Sequence, residues 1–188
     1  VTRIIAGRLG GRRLSTPRGA ATRPTSDRVR EAVFSRVESL MDLEGARVLD
    51  LYAGSGALGL EAVSRGAGFA VLVESDRRTA RLIEANVTEL RLRGAARVHA
   101  ESVDRVLERG PGGQPFDLAL LDPPYPLGEE ELTGVLTLLV DQGWLTPQAL
   151  VLVERGSRSP APTLPAGLSA MGSRSYGETV VHYLEPQS

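Results

Sequence analysis

Two short strings in this 188-residue chain have residue types suited to a group transfer onto nitrogen. The first, Asp122-Pro123-Pro124-Tyr125, follows directly on the apolar run Leu118-Ala119-Leu120-Leu121. An exocyclic amine on an aromatic ring is a poor nucleophile, because its lone pair is delocalised into the ring. Acceptors on its two N–H groups, here the Asp122 carboxylate and the Pro123 carbonyl, favour a pyramidal nitrogen whose lone pair is free to attack. Pro124 has no N–H and fixes the turn, and Tyr125 offers a ring face on which a base can stack. No metal and no covalent intermediate are needed, since positioning for in-line displacement supplies much of the rate. Without a fold to present them, the same four residues are only a turn.

The second string is Asp50-Leu51-Tyr52-Ala53-Gly54-Ser55-Gly56-Ala57-Leu58-Gly59. Its Gly54-x-Gly56-x-x-Gly59 core is formally a dinucleotide fingerprint. Glu74 lies twenty residues beyond Gly54, where an acid can accept the hydroxyls of a ribose. Asp50 separates the two cofactor classes that share this pattern. An anion there repels a pyrophosphate and welcomes a sulfonium or an ammonium group. S-adenosylmethionine has both cations and no phosphate, and at 188 residues no second domain to hold a dehydrogenase substrate is expected. S-adenosylmethionine, rather than NAD, is the expected cofactor.

These strings need strand tips to hold them. Strand-like runs fall at 47–51, 69–74, 97–100, 116–122 and 149–154, separated by stretches of helical spacing. Within residues 77–92, for example, Ala80, Ile83, Val87 and Leu90 share one face. Such alternation predicts an α/β fold with a parallel sheet between helices. A strand order 3-2-1-4-5 would set Asp50 and Asp122 at neighbouring tips, on the two sides of the switch point where ligands bind. After a Pro- and Ser-rich loop from Arg155 to Pro165, the runs Leu168–Ser173 and Thr179–Leu184 are joined through Tyr176-Gly177. That is too little chain for a helix, so they should pair antiparallel. Near the start, residues 2–18 read as a hairpin turning at Gly10-Gly11, and from about Asp27 a helix carries Val29, Val33, Val37, Leu40 and Met41 on one stripe. The segment from Thr22 to Glu31 between them reads equally as a plain helix start, with Asp27 near its N-terminus, or as a strap closing over the donor.

Composition narrows the class. Apolar residues are 41% and charged residues 24%, which fits an ordinary folded domain and not a disordered chain. With no cysteine and two histidines, thiolate metal sites, thiol nucleophiles and disulfides are excluded, and no metal site is expected. No apolar run is long enough to span a bilayer and the first residues have no apolar signal core, so the expected place is the cytoplasm, away from membranes. The net charge of −1 conceals an asymmetry. All 22 basic residues are arginine, and residues 1–36 hold nine of them against two acids, a net of +7. The remainder, with 13 arginines and 21 acids, is −8. A basic arm on an acidic body points to a polyanion held by one end, and arginine suits phosphate. The candidate phosphate contacts are Arg3, Arg8, Arg12, Arg13, Arg18, Arg23, Arg28 and Arg30. Residues 1–24 are expected to form an arginine-rich RNA-binding arm, and residues 25–188 a Rossmann-like methyltransferase domain.

On Arg3-Ile4-Ile5-Ala6-Gly7, on Arg23-Pro24-Thr25-Ser26-Asp27-Arg28-Val29-Arg30-Glu31-Ala32-Val33-Phe34 and on the two strings above, the chain resembles the bacterial 16S ribosomal RNA (guanine-N2)-methyltransferases of the RsmD family. The resemblance covers nearly the whole length, and the Arg-Pro-Thr segment is its most specific part. It implies a class I S-adenosylmethionine-dependent methyltransferase, with a seven-stranded Rossmann-like sheet whose last strand is antiparallel and a small N-terminal β-hairpin extension. The activity implied is methylation of the N2 amine of one loop guanine of 16S rRNA, in the small ribosomal subunit or its assembly intermediate, by a monomer. By position, Asp50, Tyr52, Ala53, Gly54, Ser55, Gly56, Glu74, Ser75, Ser102, Val103, Asp122 and Thr25 would meet the donor. Asp122, Pro123, Pro124 and Tyr125 would meet the target base. Such enzymes often place Asp or Asn after the third strand to meet the adenine; here Ala100-Glu101-Ser102-Val103 puts Ser102 in that place. Three other readings stay open: a DNA adenine-N6 methyltransferase, which shares the Asp-Pro-Pro-Tyr chemistry; a protein-amide methyltransferase, which leaves the arginine arm unexplained; and a non-enzymatic RNA-binding module, which keeps the arm and does not need Asp122.

Overall fold

The structure is a computed structural model that describes residues 2–18 and 26–187. Two two-residue strands open the chain, β1 (Thr2–Arg3) and β2 (Arg13–Leu14), paired antiparallel. Then follow α1 (Asp27–Leu40), β3 (Arg47–Leu51), α2 (Ala57–Ser64), β4 (Phe69–Val73), α3 (Arg77–Glu89), β5 (Ala96–His99), α4 (Val103–Glu108), β6 (Phe116–Leu121) and α5 (Glu129–Asp141). Three strands finish it: β7 (Leu145–Gly156), β8 (Leu168–Tyr176) and β9 (Thr179–Pro186). The main sheet has seven strands in the order β5-β4-β3-β6-β7-β9-β8. β3 to β7 are parallel, and β9 runs antiparallel to both β7 and β8. This is the class I methyltransferase architecture, with the reversal at β3/β6.

The sheet is built from near-continuous apolar runs because helices bury both of its faces. Val48, Leu72, Leu118 and Leu152 pack on one face, and Leu49, Val71, Ala119 and Val151 on the other. Three helix starts, those of α1, α3 and α4, are fixed by side-chain caps, whereas α2 and α5 begin at Gly56 and Gly128 without one. Ser26, Asp76 and Ser102 accept from the backbone N–H of Val29, Thr79 and Arg105.

Two differences from the sequence-based strand limits have a physical cause. β7 begins at Leu145, not Ala149, because Leu145 pairs with Phe116, and a register shift before the next pair, Leu118 with Leu150, takes up the residues between. No alternation of side chains marks such a shift. β8 continues to Tyr176, with Gly177 in the left-handed region at the hairpin turn.

The N-terminal segment packs against α2 and is not held by its short ladder alone. Ile4 and Leu14 are buried in the same core cluster as Val48 and Leu60. Glu61, fully buried, accepts from the N–H of Ile5 at 2.8 Å and of Ala6 at 3.0 Å. Ser64 Oγ donates to the Ala6 carbonyl and accepts from Leu9 N–H, while its carbonyl accepts from Arg8 N–H. A side chain at Gly7 would stand 2.0 Å from the Ser64 carbonyl oxygen, and φ there is +80°, so only glycine fits.

Candidate functional site

β3 and β6 are adjacent and parallel, with Leu51 opposite Leu121. The residues that close β3 and follow β6 therefore emerge side by side at the carboxyl edge. There a cavity of about 600 Å³ is lined by Asp50, Tyr52, Ala53, Gly54 and Ser55 from the first string, and by Asp122 and Pro124 from the second. Glu74, Ser75, Ser102 and Val103 also line it. Asp50 is buried and Asp122 is exposed, so the cavity runs from an acidic floor to an acidic mouth. Gly56 lies behind the loop; a side chain there would meet Ile83 and Leu72. Pro123 is buried and Tyr125 is 75% exposed, both outside the cavity lining. Thr25 and Arg23 lie outside the described residues.

Several groups have work beyond that expected of them. Asp50 Oδ2 accepts from Gly59 N–H at 2.9 Å, which ties the end of β3 to the first turn of α2. Glycine at 59 allows this close approach, since a Cβ there would stand 3.0 Å from the same oxygen and from Leu72 Cδ2. Burial pushes the Asp50 carboxyl well above the usual carboxylate range. Asp122, Glu74 and Glu154 add to the rise, and the Gly59 hydrogen bond opposes it. Glu74 accepts from Gly54 N–H through Oε1 and from Asp76 N–H through Oε2, both at 2.9 Å. It thus holds the glycine loop in place and keeps further lone pairs for hydroxyl donors. Ser102 caps α4, and Asp104 joins it in the lining. Tyr52 has φ +61°, a costly setting for an aromatic residue. Burial and the nearby carboxylates of Asp104 and Glu131 push its hydroxyl up.

Arg30 departs from its expected place. It is 1% exposed, held by Asp27 at 2.7 Å, and lines the cavity instead of the surface. Arg3, Arg8, Arg12, Arg13, Arg18 and Arg28 are exposed. Asn86 was missed altogether. Buried on α3, it accepts from Ser15 N–H and donates to the Ser15 and Ser55 carbonyls, so it joins the N-terminal segment to the glycine loop. The signal is its spacing: three after Ile83 and four before Leu90, it is a polar residue on the apolar face of the helix, where a buried amide needs partners.

A cavity floored by a buried carboxylate, with an acid beside a glycine loop and one buried guanidinium, fits the sulfonium, ammonium, ribose and carboxylate of S-adenosylmethionine. The family described as "Conserved hypothetical protein 95" matches residues 2–185. The chain is 39% identical to the ribosomal RNA small subunit methyltransferase D of Escherichia coli K12 over 167 residues, 89% of this chain and 81% of that one. The chain belongs to this RsmD-like family. A second member, the ribosomal RNA small subunit methyltransferase D of Haemophilus influenzae, is 35% identical over 86% of this chain and 82% of its own. The yhhF protein of Escherichia coli superposes with a TM-score of 0.85 at 36% identity, covering 98% of this chain and 97% of that one. Outside the family, the magnesium protoporphyrin IX methyltransferase of Synechocystis, solved with bound SAM, shares the fold at a TM-score of 0.66. It is 11% identical and covers 85% of this chain and 79% of that one.

Proposed function

We propose that the protein methylates the exocyclic N2 of one loop guanine in 16S rRNA, with S-adenosylmethionine as donor and the small ribosomal subunit or an assembly intermediate as substrate. The observation that carries this reading is the meeting of Asp50 and Asp122 in one cavity at adjoining strand tips. The names of the family members in Escherichia coli and Haemophilus influenzae support the substrate class.

The bound donor supplies an activated methyl on a positively charged sulfur. Asp50 at the floor favours the cationic end, and Glu74, beside Gly54, takes the ribose hydroxyls. Ser75, Ser102 and Val103 border the nucleoside, and the family resemblance alone assigns Thr25 to the donor. At the mouth, Asp122 and the Pro123 carbonyl accept the two N–H groups of the amine, which frees its lone pair for in-line attack. Pro124 holds the turn, and Tyr125, on the solvent side, offers its ring to a guanine already unstacked. The N–H proton then leaves through the Asp122 carboxylate. The arginines of residues 1–24, with Arg28, hold the RNA backbone. We place the enzyme in the cytoplasm, acting as a monomer without a metal. Among the described residues, no helix is long and apolar enough to cross a membrane.

The test is methyl transfer from labelled donor to small subunits, naked rRNA, DNA and protein, with mapping of the product. Label on a guanine N2 of 16S rRNA is expected; label on adenine of DNA, or on protein, would replace this reading by the corresponding alternative. Asp122→Asn should lower kcat at least 100-fold and leave donor affinity within about threefold.

A further inference from the structure

β7 runs three residues beyond Val153, the partner of Leu121, so its last two residues, Arg155 and Gly156, stand beside the loop that follows β6. Successive residues of a strand point to opposite faces, and each of these two meets that loop from its own side. Arg155 belongs to the face that carries Val151 and Val153. Its buried guanidinium forms an ion pair with Glu129, the first residue of α5, and Nη2 donates to the Leu127 carbonyl at 3.4 Å. A turn closed by Leu127 N–H on the Pro124 carbonyl at 3.0 Å joins that anchor to Tyr125. On the other face, Gly156 meets the ring itself. A Cβ at 156 would stand 3.0 Å from Tyr125 Oη, 3.5 Å from Cζ and 3.9 Å from Cε2. The backbone does not ask for glycine here: φ lies outside the left-handed region, and residue 156 pairs with Thr179 as an ordinary member of the strand. Glycine weakens a strand, and where the backbone does not need it, it marks the close approach of another group. That group is the phenol of Tyr125, the one large apolar side chain among the described residues that is mostly exposed.

We propose that Gly156 is a positioning residue for the target base: bare backbone at the tip of β7 seats the Tyr125 ring, and the place of that ring sets where the base can rest. This builds on the stacking of the base on Tyr125 put forward above, and deepens it by naming what holds the ring. With Arg155 fixing the end of the loop, a side chain at 156 moves the exposed ring and not the loop as a whole. A displaced ring leaves the donor cavity as it is, since neither Gly156 nor Tyr125 lines it. It takes the amine out of line with the methyl. Residue 156 thereby governs the RNA half of the reaction and not the donor half.

The test is steady-state methyl transfer by the full chain from labelled S-adenosylmethionine to unmethylated small ribosomal subunits, with S-adenosylhomocysteine affinity measured by calorimetry. Gly156→Ala should lower kcat/KM for the subunit about 5- to 20-fold and Gly156→Leu about 100-fold, the loss expected when a reacting group is misplaced by roughly 1 Å. S-adenosylhomocysteine should bind each variant within about twofold of wild type. The deciding comparison uses Tyr125→Phe as background, which removes Oη and leaves Cζ at 3.5 Å, in ordinary contact. There Gly156→Ala should cost less than about twofold, whereas equal costs in the two backgrounds mark a purely structural glycine and overturn the proposal. Unchanged kcat/KM in Gly156→Ala and Gly156→Leu overturns it too, as does a loss of S-adenosylhomocysteine affinity that parallels the loss of turnover. If Gly156→Ala does not fold, its combination with Tyr125→Phe decides: recovered folding supports the contact, and continued failure assigns the glycine to the backbone and overturns the proposal. Tyr125→Ala tells the two claims apart. Wild-type kcat/KM in Tyr125→Ala removes the stacking role and this proposal with it; a loss there beside silent Gly156 variants removes this proposal alone.

Discussion

Asp50 carries opposing demands in one side chain. Its burial makes ionisation costly in the free protein, and its proposed ligand rewards the same ionisation. The folded-state carboxyl titrates above its ordinary value near 3.8, so the folded chain keeps the proton longer than the unfolded one. Stability from this group is present at low pH and is lost as pH rises through the raised value. Asp50→Asn should therefore flatten the fall in stability over that range in denaturant titrations at a series of pH values. It should also weaken donor binding, which in the wild type strengthens with pH as the carboxylate forms. A variant less stable than wild type at neutral pH would contradict the burial argument. Asn86 works by geometry alone. Asn86→Ala strands three backbone groups, which should cost about 1–3 kcal/mol in chemical denaturation, and it should raise the KM for the donor more than it lowers kcat.

At the scale of elements, the N-terminal hairpin and α2 form one unit. Its short ladder of two residue pairs could not persist by itself. Ile4, Leu14 and the buried Glu61 supply what the ladder lacks. Gly7→Ala forces a Cβ onto the Ser64 carbonyl at a left-handed φ, so a loss of more than about 2 kcal/mol is expected from strain and lost contacts. Limited trypsin digestion checks where the damage falls. Cleavage at Arg8, Arg12 or Arg13 should precede cleavage in the sheet, and simultaneous loss of all elements would refute local undocking. The glycine loop has a comparable division of labour. Glu74 holds Gly54, Asp50 holds Gly59, and Asn86 holds Ser55. The loop is thus pre-set by three different elements before any ligand arrives.

For the whole molecule, the separation of charge is the feature that bears on RNA. Six arginines near the N-terminus, Arg3, Arg8, Arg12, Arg13, Arg18 and Arg28, are exposed. If each meets a phosphate, log affinity should fall with log salt at a slope of roughly −4 on single-stranded RNA. Each Arg→Ala change should reduce it by about 0.7. A flat response in filter binding across salt concentrations would remove the basic arm from RNA recognition.

The parallel strands and the two strings were legible in the residues because strands buried on both faces leave apolar runs; their lateral order was a premise taken from doubly wound sheets, which the structure bears out. A Gly-rich turn and an Asp-Pro-Pro turn at their ends have few other uses. The charge asymmetry was legible for the same reason: composition along a chain needs no folding to be read. Which arginine turns inward follows from spacing as well, since Arg30 stands three, four and seven positions before Val33, Phe34 and Val37 on the buried face of α1 while Arg28 is off it; that its guanidinium lies between Asp27 and Glu61 did not, because Glu61 is brought there by tertiary packing. Nor did the second duties of Asp50, Glu74 and Ser102 as tethers and caps. These arise from hydrogen bonds between groups brought together by tertiary packing, and tertiary packing alone made Asn86 and Glu61 the joints between the arm and the site.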